Sequence, residues 1–325
     1  MYKTQESIWS ILIDSQERWL SDLSIELDTP TLNGTLKCAI ASETERAVLE
    51  LQLFEEEADD ERIPNYRFVV QDEKTVQVRR GGAGGGEDIA SLFYENPPIF
   101  WFADGSSLEG NQYVELKSTY PPYDRAKIDA WNWTGIDLKK ESQRDAKDPS
   151  SIQARVIQEL KKRDYAMIID DDGKGEAADI VAIRLTGDQA TPSSIDVEFY
   201  HCKFSQEATP GQRIKDLYEV CGQAQKSMAW TSNPEKRTDI FTHLLRREAD
   251  REEAGRSTRL ELGDREQLLT IREMTRLCPV SLRIYVVQPG VSKARATTDQ
   301  LQLMSVTENH LLQRYQIPFG VIASE

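Results

Sequence analysis

The sequence predicts an α/β domain preceded by a β-rich N-terminal domain, and three observations support this. In the first half of the 325-residue chain, Pro, Gly and Asp separate short alternating apolar runs, which is typical of β-rich modules. In the second half, helical and strand patterns alternate through to Ile322, as in α/β domains. A polar segment, residues 143–150, separates the two patterns. We therefore expect a β-rich domain of residues 1–148 and an α/β domain of residues 149–325.

The N-terminal half supplies the strands of the β-rich domain. They are predicted at residues 47–54, 66–70, 75–78, 99–102 and 113–116. The glycine-rich segment 81–86 lacks the Lys-Ser/Thr pair that follows a phosphate-binding loop, so we interpret it as a connector. No chemistry is indicated in residues 1–148, and the role of this domain stays open.

The second half begins with a predicted helix that Ser151 caps and whose buried stripe is Ile152, Val156 and Leu160. Strands follow at 165–169, 178–183 and 195–204. An acidic turn, residues 170–176, joins the first two, and its glycines permit the tight return of the chain. The remaining elements are a helix within 214–228, a helix at 264–277 capped by Asp264, a strand at 280–287, a helix at 299–315 capped by Thr298 and a strand at 318–322.

Composition limits the classes of protein that the chain can belong to. Forty basic and 55 acidic residues give a net charge of −15, which counts against tight autonomous DNA binding and favours a partner or fused module that delivers the substrate. No apolar run reaches the roughly 18 residues of a membrane span. The N-terminus lacks the basic start and apolar core of a secretory signal. The four cysteines form no CxxC pair, so a cytoplasmic protein with reduced thiols is expected.

Polar residues interrupt the apolar strands of the second half. Side chains alternate across a strand, so His201 and Lys203 share the face of Phe199, and Asp179 shares the face of Val181. A lysine on an apolar face is costly unless it is paired, and Asp179 is its natural partner. An acid and a lysine on neighbouring strands can hold a divalent metal and an activated water beside a phosphate. A purely structural Asp–Lys pair is the alternative.

The flanking helices add further polar candidates. Glu159 lies at the edge of the buried helix stripe, where it either points towards Asp179 or is solvated. Gln225 interrupts the apolar face of the later helix and so needs hydrogen-bond partners, whereas Gln223 points elsewhere. His201 and Cys202 are adjacent in a strand and hence on opposite faces, which argues against a Cys–His dyad.

The order helix-Glu, strand, turn, Asp, strand, x-Lys, helix-Gln resembles the PD-(D/E)XK, or restriction-endonuclease-like, nuclease superfamily over roughly residues 150–325. Residues 170–179 with His201-Cys202-Lys203 resemble its Mrr-like branch. Segments 170–183, 197–205, 216–227, 286–294 and 300–312 resemble the nuclease region associated with bacterial superfamily 2 (DEAD/DEAH) helicases. The resemblance implies a mixed sheet flanked by helices and a metal-dependent endonuclease that hydrolyses DNA, with RNA left open.

The resemblance also implies phage defence or DNA processing together with a helicase. The chain has no helicase ATPase motif, so a helicase would be a separate subunit or a fused part. By position, Asp179 corresponds to the central metal-binding aspartate, and Ala178 replaces the proline of the family's name. Lys203 corresponds to the lysine that orients or helps deprotonate the attacking water. Glu159 corresponds to the helix carboxylate, and Gln225 or Gln223 to the helix glutamine.

His201 departs from the family pattern, because it stands where the motif has Asp or Glu. A neutral imidazole removes one negative charge and suits Mn²⁺ better than Mg²⁺. Glu176, at the mouth of the acidic turn, is a candidate to restore the lost oxygen ligand. The implied metal ligands are therefore Asp179, Glu159, His201 and Glu176, for Mg²⁺ or Mn²⁺. The departure leaves a second interpretation open, a catalytically degenerate nuclease-fold module that binds nucleic acid or a helicase partner.

Overall fold

A computed structural model describes the chain in twelve ranges. They are residues 9–14, 16–19, 24–27, 35–41, 45–58, 61–80, 85–101, 106–115, 121–173, 175–188, 190–230 and 239–325. Two compact units, Met1–Lys117 and Ser118–Glu325, divide the chain. This division lies before the boundary predicted at 148/149, because the strand Ile128–Trp131 pairs with the strand Phe319–Ser324 at the C-terminus. Residues 118–148 therefore belong to the second unit.

In its described residues, the first unit consists of antiparallel sheets and one short helix, in agreement with the β-rich prediction. The elements are β1 (Trp9–Ile13), β2 (Gln16–Trp19), β3 (Ser24–Leu27), β4 (Lys37–Ala41), β5 (Arg46–Ala58), β6 (Glu61–Val70), β7 (Val76–Arg80), β8 (Glu87–Asp88), α1 (Ile89–Glu95), β9 (Ile99–Trp101), β10 (Ser107–Glu109) and β11 (Gln112–Val114). The sheets have the strand orders β2-β1-β7-β8, β3-β4-β5-β6 and β11-β10-β9. Residues 81–84 of the predicted connector lie outside the described residues.

The second unit is built on a seven-stranded mixed sheet. Its strands are β12 (Ile128–Trp131), β13 (Met167–Asp170), β14 (Ile180–Gly187), β15 (Pro192–Cys202), β16 (Leu260–Leu262), β17 (Val280–Ser292) and β18 (Phe319–Ser324). Their order in the sheet is β12-β18-β17-β15-β14-β13-β16. Strands β13, β14 and β15 pair antiparallel, whereas β15, β17, β18 and β12 pair parallel. The helices are α2 (Ile152–Leu160), α3 (Lys215–Lys226), α4 (Asp239–Glu253), α5 (Arg265–Met274) and α6 (Thr298–Tyr315).

Alternation along the strands separates two apolar cores on opposite faces of this sheet. Val181 and Phe199 belong to the core that α3, α4, α5 and α6 cover, whereas Tyr200 and Cys202 belong to the core that α2 covers. The α/β fold predicted from the sequence is confirmed. At nine residues α2 is too short to be stable alone. Burial of its three predicted stripe residues, at about 1.5–3 kcal/mol each, holds it on the sheet.

The N-cap residues of α2 and α5 are the predicted ones, whereas that of α6 lies one residue earlier than predicted. Ser151 caps α2 by accepting from the Ala154 amide, and Asp264 caps α5 by accepting from the Gln267 amide, as predicted. Thr297, rather than Thr298, caps α6, because Gln300 completes a capping box with it. Among the described residues, no helix combines the length and the apolar character needed to cross a membrane.

Candidate functional site

The acidic turn between β13 and β14 brings three carboxylates together. Gly173 and Gly175 adopt positive φ angles of 110° and 77°, which only glycine takes readily. The Gly173 amide donates to a Glu176 carboxylate oxygen at 2.7 Å, so the Glu176 side chain folds back over the turn. Oxygens of Asp172, Glu176 and Asp179 lie within 4.8 Å of one another. Lys174, also in this turn, lies outside the described residues.

Asp179 lies immediately before β14 and is 2% exposed. One carboxylate oxygen accepts from the Gln153 side-chain amide and the other from the Cys202 backbone amide, both at 2.9 Å. The side chain of Gln153, in the first turn of α2, is itself fixed, because its Oε1 atom accepts from the Gln143 backbone amide at 3.1 Å. The orientation of Asp179 is therefore set jointly by helix α2 and strand β15.

The acidic cluster is electrostatically unfavourable by itself. Burial, and then the charges of Glu176 and Glu141, hold the pKa of Asp179 well above its usual range. Burial, and then the charges of Asp172 and Asp171, outweigh the Gly173 hydrogen bond and raise the pKa of Glu176 to about 7. Buried like charges are stabilised by a proton or by a cation.

The cluster fits a divalent cation with oxygen ligands. Mg²⁺ binds oxygens at about 2.0–2.1 Å, so its ligand oxygens lie roughly 3–4 Å apart. Small side-chain adjustments bring the oxygens of the three carboxylates, already within 4.8 Å of one another, to such spacings. An all-carboxylate set suits hard cations such as Mg²⁺ and Mn²⁺.

Lys203 directly follows β15, whose last residue, Cys202, donates its amide to Asp179. Its backbone amide donates to the Val287 carbonyl at 3.0 Å, which continues the pairing with β17. Its ammonium lies 3.5 Å from a Glu141 oxygen and 3.3 Å from a Glu219 oxygen. Burial lowers the pKa of Lys203, but these two carboxylates raise it by more, so the side chain stays charged. In the described residues its ion-pair partners are thus Glu141 and Glu219, and the predicted direct pair with Asp179 is wrong.

His201 is buried and neutral. Its Nε2 atom lies 2.7 Å from the Ser227 hydroxyl, and its Nδ1 atom lies 4.0 Å from an Asp179 oxygen. Burial, and then the Lys226 charge, lower the pKa of the imidazole to about 3. His201 therefore contacts the environment of Asp179 but is not one of the three clustered ligands. Its assignment as a metal ligand stays a prediction.

Glu159 does not lie at the acidic cluster. Its carboxylate pairs with Arg155 and Lys162, both at 2.6 Å, and the Lys162 hydrogen bond lowers its pKa. Glu159 follows Gln153 by six residues on α2, which corresponds to about 9 Å along the helix axis. The α2 side chain at Asp179 is therefore Gln153 rather than the predicted Glu159.

On helix α3, the two candidate glutamines, Gln223 and Gln225, face different neighbours. The Gln225 amide donates to the Thr307 hydroxyl at 3.4 Å, so Gln225 faces α6 rather than the site. Gln223 follows Glu219 by four residues and so shares the α3 face that contacts Lys203. Its side-chain oxygen is buried, with no hydrogen-bond partner among the described residues. Gln223, rather than Gln225, is the helix glutamine on the side of the site.

Asp172, Glu141 and Gln153 were not predicted as site residues from the sequence. Gln153 carried a usable signal, because a glutamine on the buried side of a short helix needs polar partners. Asp172 and Glu141 carried none, because their positions depend on the turn geometry and on a loop that returns to β15. Comparisons of the chain with protein-family models, with curated proteins and with solved structures found no match.

Proposed function

We propose that the second unit is a metal-dependent endonuclease that hydrolyses DNA phosphodiester bonds. The observation that carries the proposal is the cluster of Asp172, Glu176 and Asp179 oxygens, together with a charged lysine, Lys203, that directly follows the Cys202 whose amide donates to Asp179. The order α2, β13, acidic turn, β14, β15, α3 supports it, because it follows the order of elements that the restriction-endonuclease-like resemblance implies.

The residues of the cluster have distinct roles in this proposal. Asp172, Glu176 and Asp179 hold Mg²⁺ or Mn²⁺, and the bound cation supplies Lewis acidity and makes its water more acidic. Gln153 and the Cys202 amide keep the Asp179 carboxylate aimed at the cluster.

Lys203 acts on the phosphate and the attacking water. Its charge offsets the negative charge that develops on the phosphoryl oxygens and orients the water. Glu141 and Glu219 keep the ammonium protonated and limit where it can move. Two carboxylate partners also offset the charge of this lysine, which weakens its electrostatic attraction for free DNA. The net charge of −15 acts in the same direction.

This charge balance supports a partner that delivers the nucleic acid. We propose that the chain works in the cytoplasm, in bacterial phage defence or DNA processing, beside a helicase that is a separate subunit or a fused part. The same reasoning predicts slow cleavage of free DNA by the isolated chain.

A second candidate function is a degenerate nuclease fold that binds nucleic acid or a helicase without cleaving. His201 favours it, because a buried neutral imidazole stands where the motif carries an acid. Cleavage that one site substitution abolishes while DNA binding is retained would rule this candidate out.

A cleavage panel tests the leading proposal. Supercoiled plasmid, linear duplex, single-stranded DNA and RNA are incubated with the purified chain in Mg²⁺, in Mn²⁺ and in EDTA. We expect cleavage of DNA only with a metal, and its loss in Asp179→Ala. Glu159→Gln is the matched control, because this carboxylate is engaged on the surface of α2, and we expect it to cleave like the wild type. Wild-type protein without metal-dependent cleavage of any substrate overturns the proposal.

A further inference from the structure

Two arginines from outside the acidic cluster bind the backbone of the turn that carries it. Arg247, on α4, donates from Nη2 to the Asp171 carbonyl at 2.7 Å and to the Gly173 carbonyl at 3.5 Å. Arg259, just before β16, donates from Nη1 to the Asp170 carbonyl at 3.2 Å and to the Asp172 carbonyl at 2.6 Å. Four consecutive carbonyls, residues 170–173, therefore accept alternately from two guanidinium groups.

Each arginine is itself anchored. The Arg247 Nε atom donates to the buried Asp171 carboxylate at 2.5 Å, whose other oxygen accepts from the Ala177 amide at 2.8 Å. The backbone of Arg259 is also held. The Arg259 amide donates to the Glu248 carboxylate of α4 at 2.9 Å, and the Arg259 carbonyl accepts from the Asp170 amide at 2.9 Å. The segment from α4 to β16 thus fixes both the entry to the turn and its centre.

The placement of these contacts matters for the carboxylates. Asp172 lies within the clamped stretch, and Glu176 follows it after two glycines with positive φ. A turn rich in glycine has many alternative conformations, so fixed carbonyls reduce the entropy that is lost when a cation gathers its ligands. Two guanidinium charges beside the turn also offset part of the repulsion among its carboxylates.

We propose that Arg247 and Arg259 are positioning residues for cation binding, which hold the acidic turn so that Asp172 and Glu176 face Asp179. The inference rests on the proposed function only in taking the acidic cluster as a cation site. It adds that the segment from α4 to β16, which supplies none of the three clustered carboxylates, controls the affinity of that site.

Titration with Mn²⁺ alone, followed by the electron paramagnetic resonance signal of the free ion, tests this without nucleic acid. We expect Arg247→Met and Arg259→Met in the full chain to weaken Mn²⁺ binding at least tenfold. Arg246→Met, the neighbouring exposed arginine of α4, is the matched control and should bind Mn²⁺ like the wild type. Arg247→Lys keeps the charge but not the paired donors, and we expect intermediate affinity.

The outcomes separate the inference from the proposed function. Variants that melt at lower temperature but bind Mn²⁺ with wild-type affinity show a merely structural role and overturn the inference, while the cation site stands. Wild-type protein that binds no Mn²⁺ overturns the cation site itself, and the inference with it. Should the methionine variants fail to fold, Arg247→Lys decides the question, since wild-type affinity in that variant contradicts positioning by paired donors.

Discussion

For single residues, Glu176 shows how burial in the acidic cluster opposes the ionisation of a carboxylate. Its pKa of about 7 means that, at pH 8, the folded protein holds an ionised carboxylate that burial and neighbouring charges oppose. The unfolded chain ionises the same group near its ordinary value of 4.5. The folded state is therefore penalised increasingly as pH rises from about 4.5 through 7, and a bound cation would remove the penalty.

We predict that Glu176→Gln stabilises the metal-free protein at pH 8 by up to roughly 3 kcal/mol, because an amide carries no charge to desolvate. The same substitution should remove most of the stabilisation that Mn²⁺ gives to the wild type. Urea unfolding in EDTA, and again with Mn²⁺, measures both effects. A variant less stable than the wild type in EDTA, yet equally stabilised by Mn²⁺, would contradict this assignment of the carboxylate.

His201 permits a test of metal preference. Replacing it with glutamate restores the charge of the family pattern 4.0 Å from Asp179, so we expect His201→Glu to shift cleavage from Mn²⁺ towards Mg²⁺. Because the position is buried, the metal-free variant should also be less stable than the wild type. His201→Gln, which adds no charge, is the control. Loss of cleavage in both metals by a folded His201→Glu protein would show a role for the imidazole that this account lacks.

At the scale of elements, local patterns predicted most of the second unit. Its strands β13, β14 and β15 and its helices α2, α5 and α6 carry clear periodicity and caps, so their type and order follow from the sequence. The short strands β12 and β16 do not, because each is defined by pairing with a strand far away in the chain. The domain boundary was misplaced for the same reason.

The site was predicted in part, for a related reason. Alternation along neighbouring strands predicted that Asp179 shares the face of Val181 and that Lys203 shares the face of Phe199, and Glu176 was predicted at the mouth of the turn. Helical periodicity, however, shows which face of α2 is buried and not which of its turns lies against Asp179. Gln153 and Glu159 illustrate the difference, since only the first contacts the aspartate. Loop contacts such as Glu141 to Lys203 have no periodic signal at all.

Helix α4 gives a prediction for acid stability. His243 lies with its ring 4.7 Å from the Trp230 ring, and burial followed by the Arg247 charge lowers its pKa to about 4 from an ordinary 6.5. Above about pH 6.5 the imidazole is neutral in both the folded and the unfolded protein. As pH falls towards 4, only the unfolded protein binds the proton readily, so the folded state loses stability. Between pH 7 and pH 4, we expect the free energy of unfolding to fall by up to roughly 3 kcal/mol less in His243→Phe than in the wild type.

Urea unfolding of wild type and His243→Phe at pH 7, 5.5 and 4 measures this difference. His310→Phe is a useful comparison, because burial also lowers the pKa of His310, which lies on α6, away from α4. If the free energies of unfolding of wild type and His243→Phe differ by the same amount at all three pH values, unfolding does not change the pKa of His243, and this prediction is wrong.

For the whole molecule, a net charge of −15 accompanies a candidate site that we propose acts on a polyanion. The net charge of −15 opposes nucleic-acid binding at long range, whereas a bound cation and Lys203 favour a phosphate at short range. Such a molecule gains substrate from a partner more readily than from solution, which is the physical reason to expect a helicase or another delivering module.

In the proposed function, the acidic cluster and Lys203 together hydrolyse a phosphodiester. The most direct measurement compares plasmid cleavage in Mn²⁺ with Mn²⁺ affinity for the wild type and Lys203→Ala. We predict that Lys203→Ala binds Mn²⁺ within about threefold of the wild type but cleaves at least about a hundredfold more slowly, because the lysine acts on the reacting phosphate rather than on the cation. Cleavage that survives in both Lys203→Ala and Asp179→Ala would contradict the account.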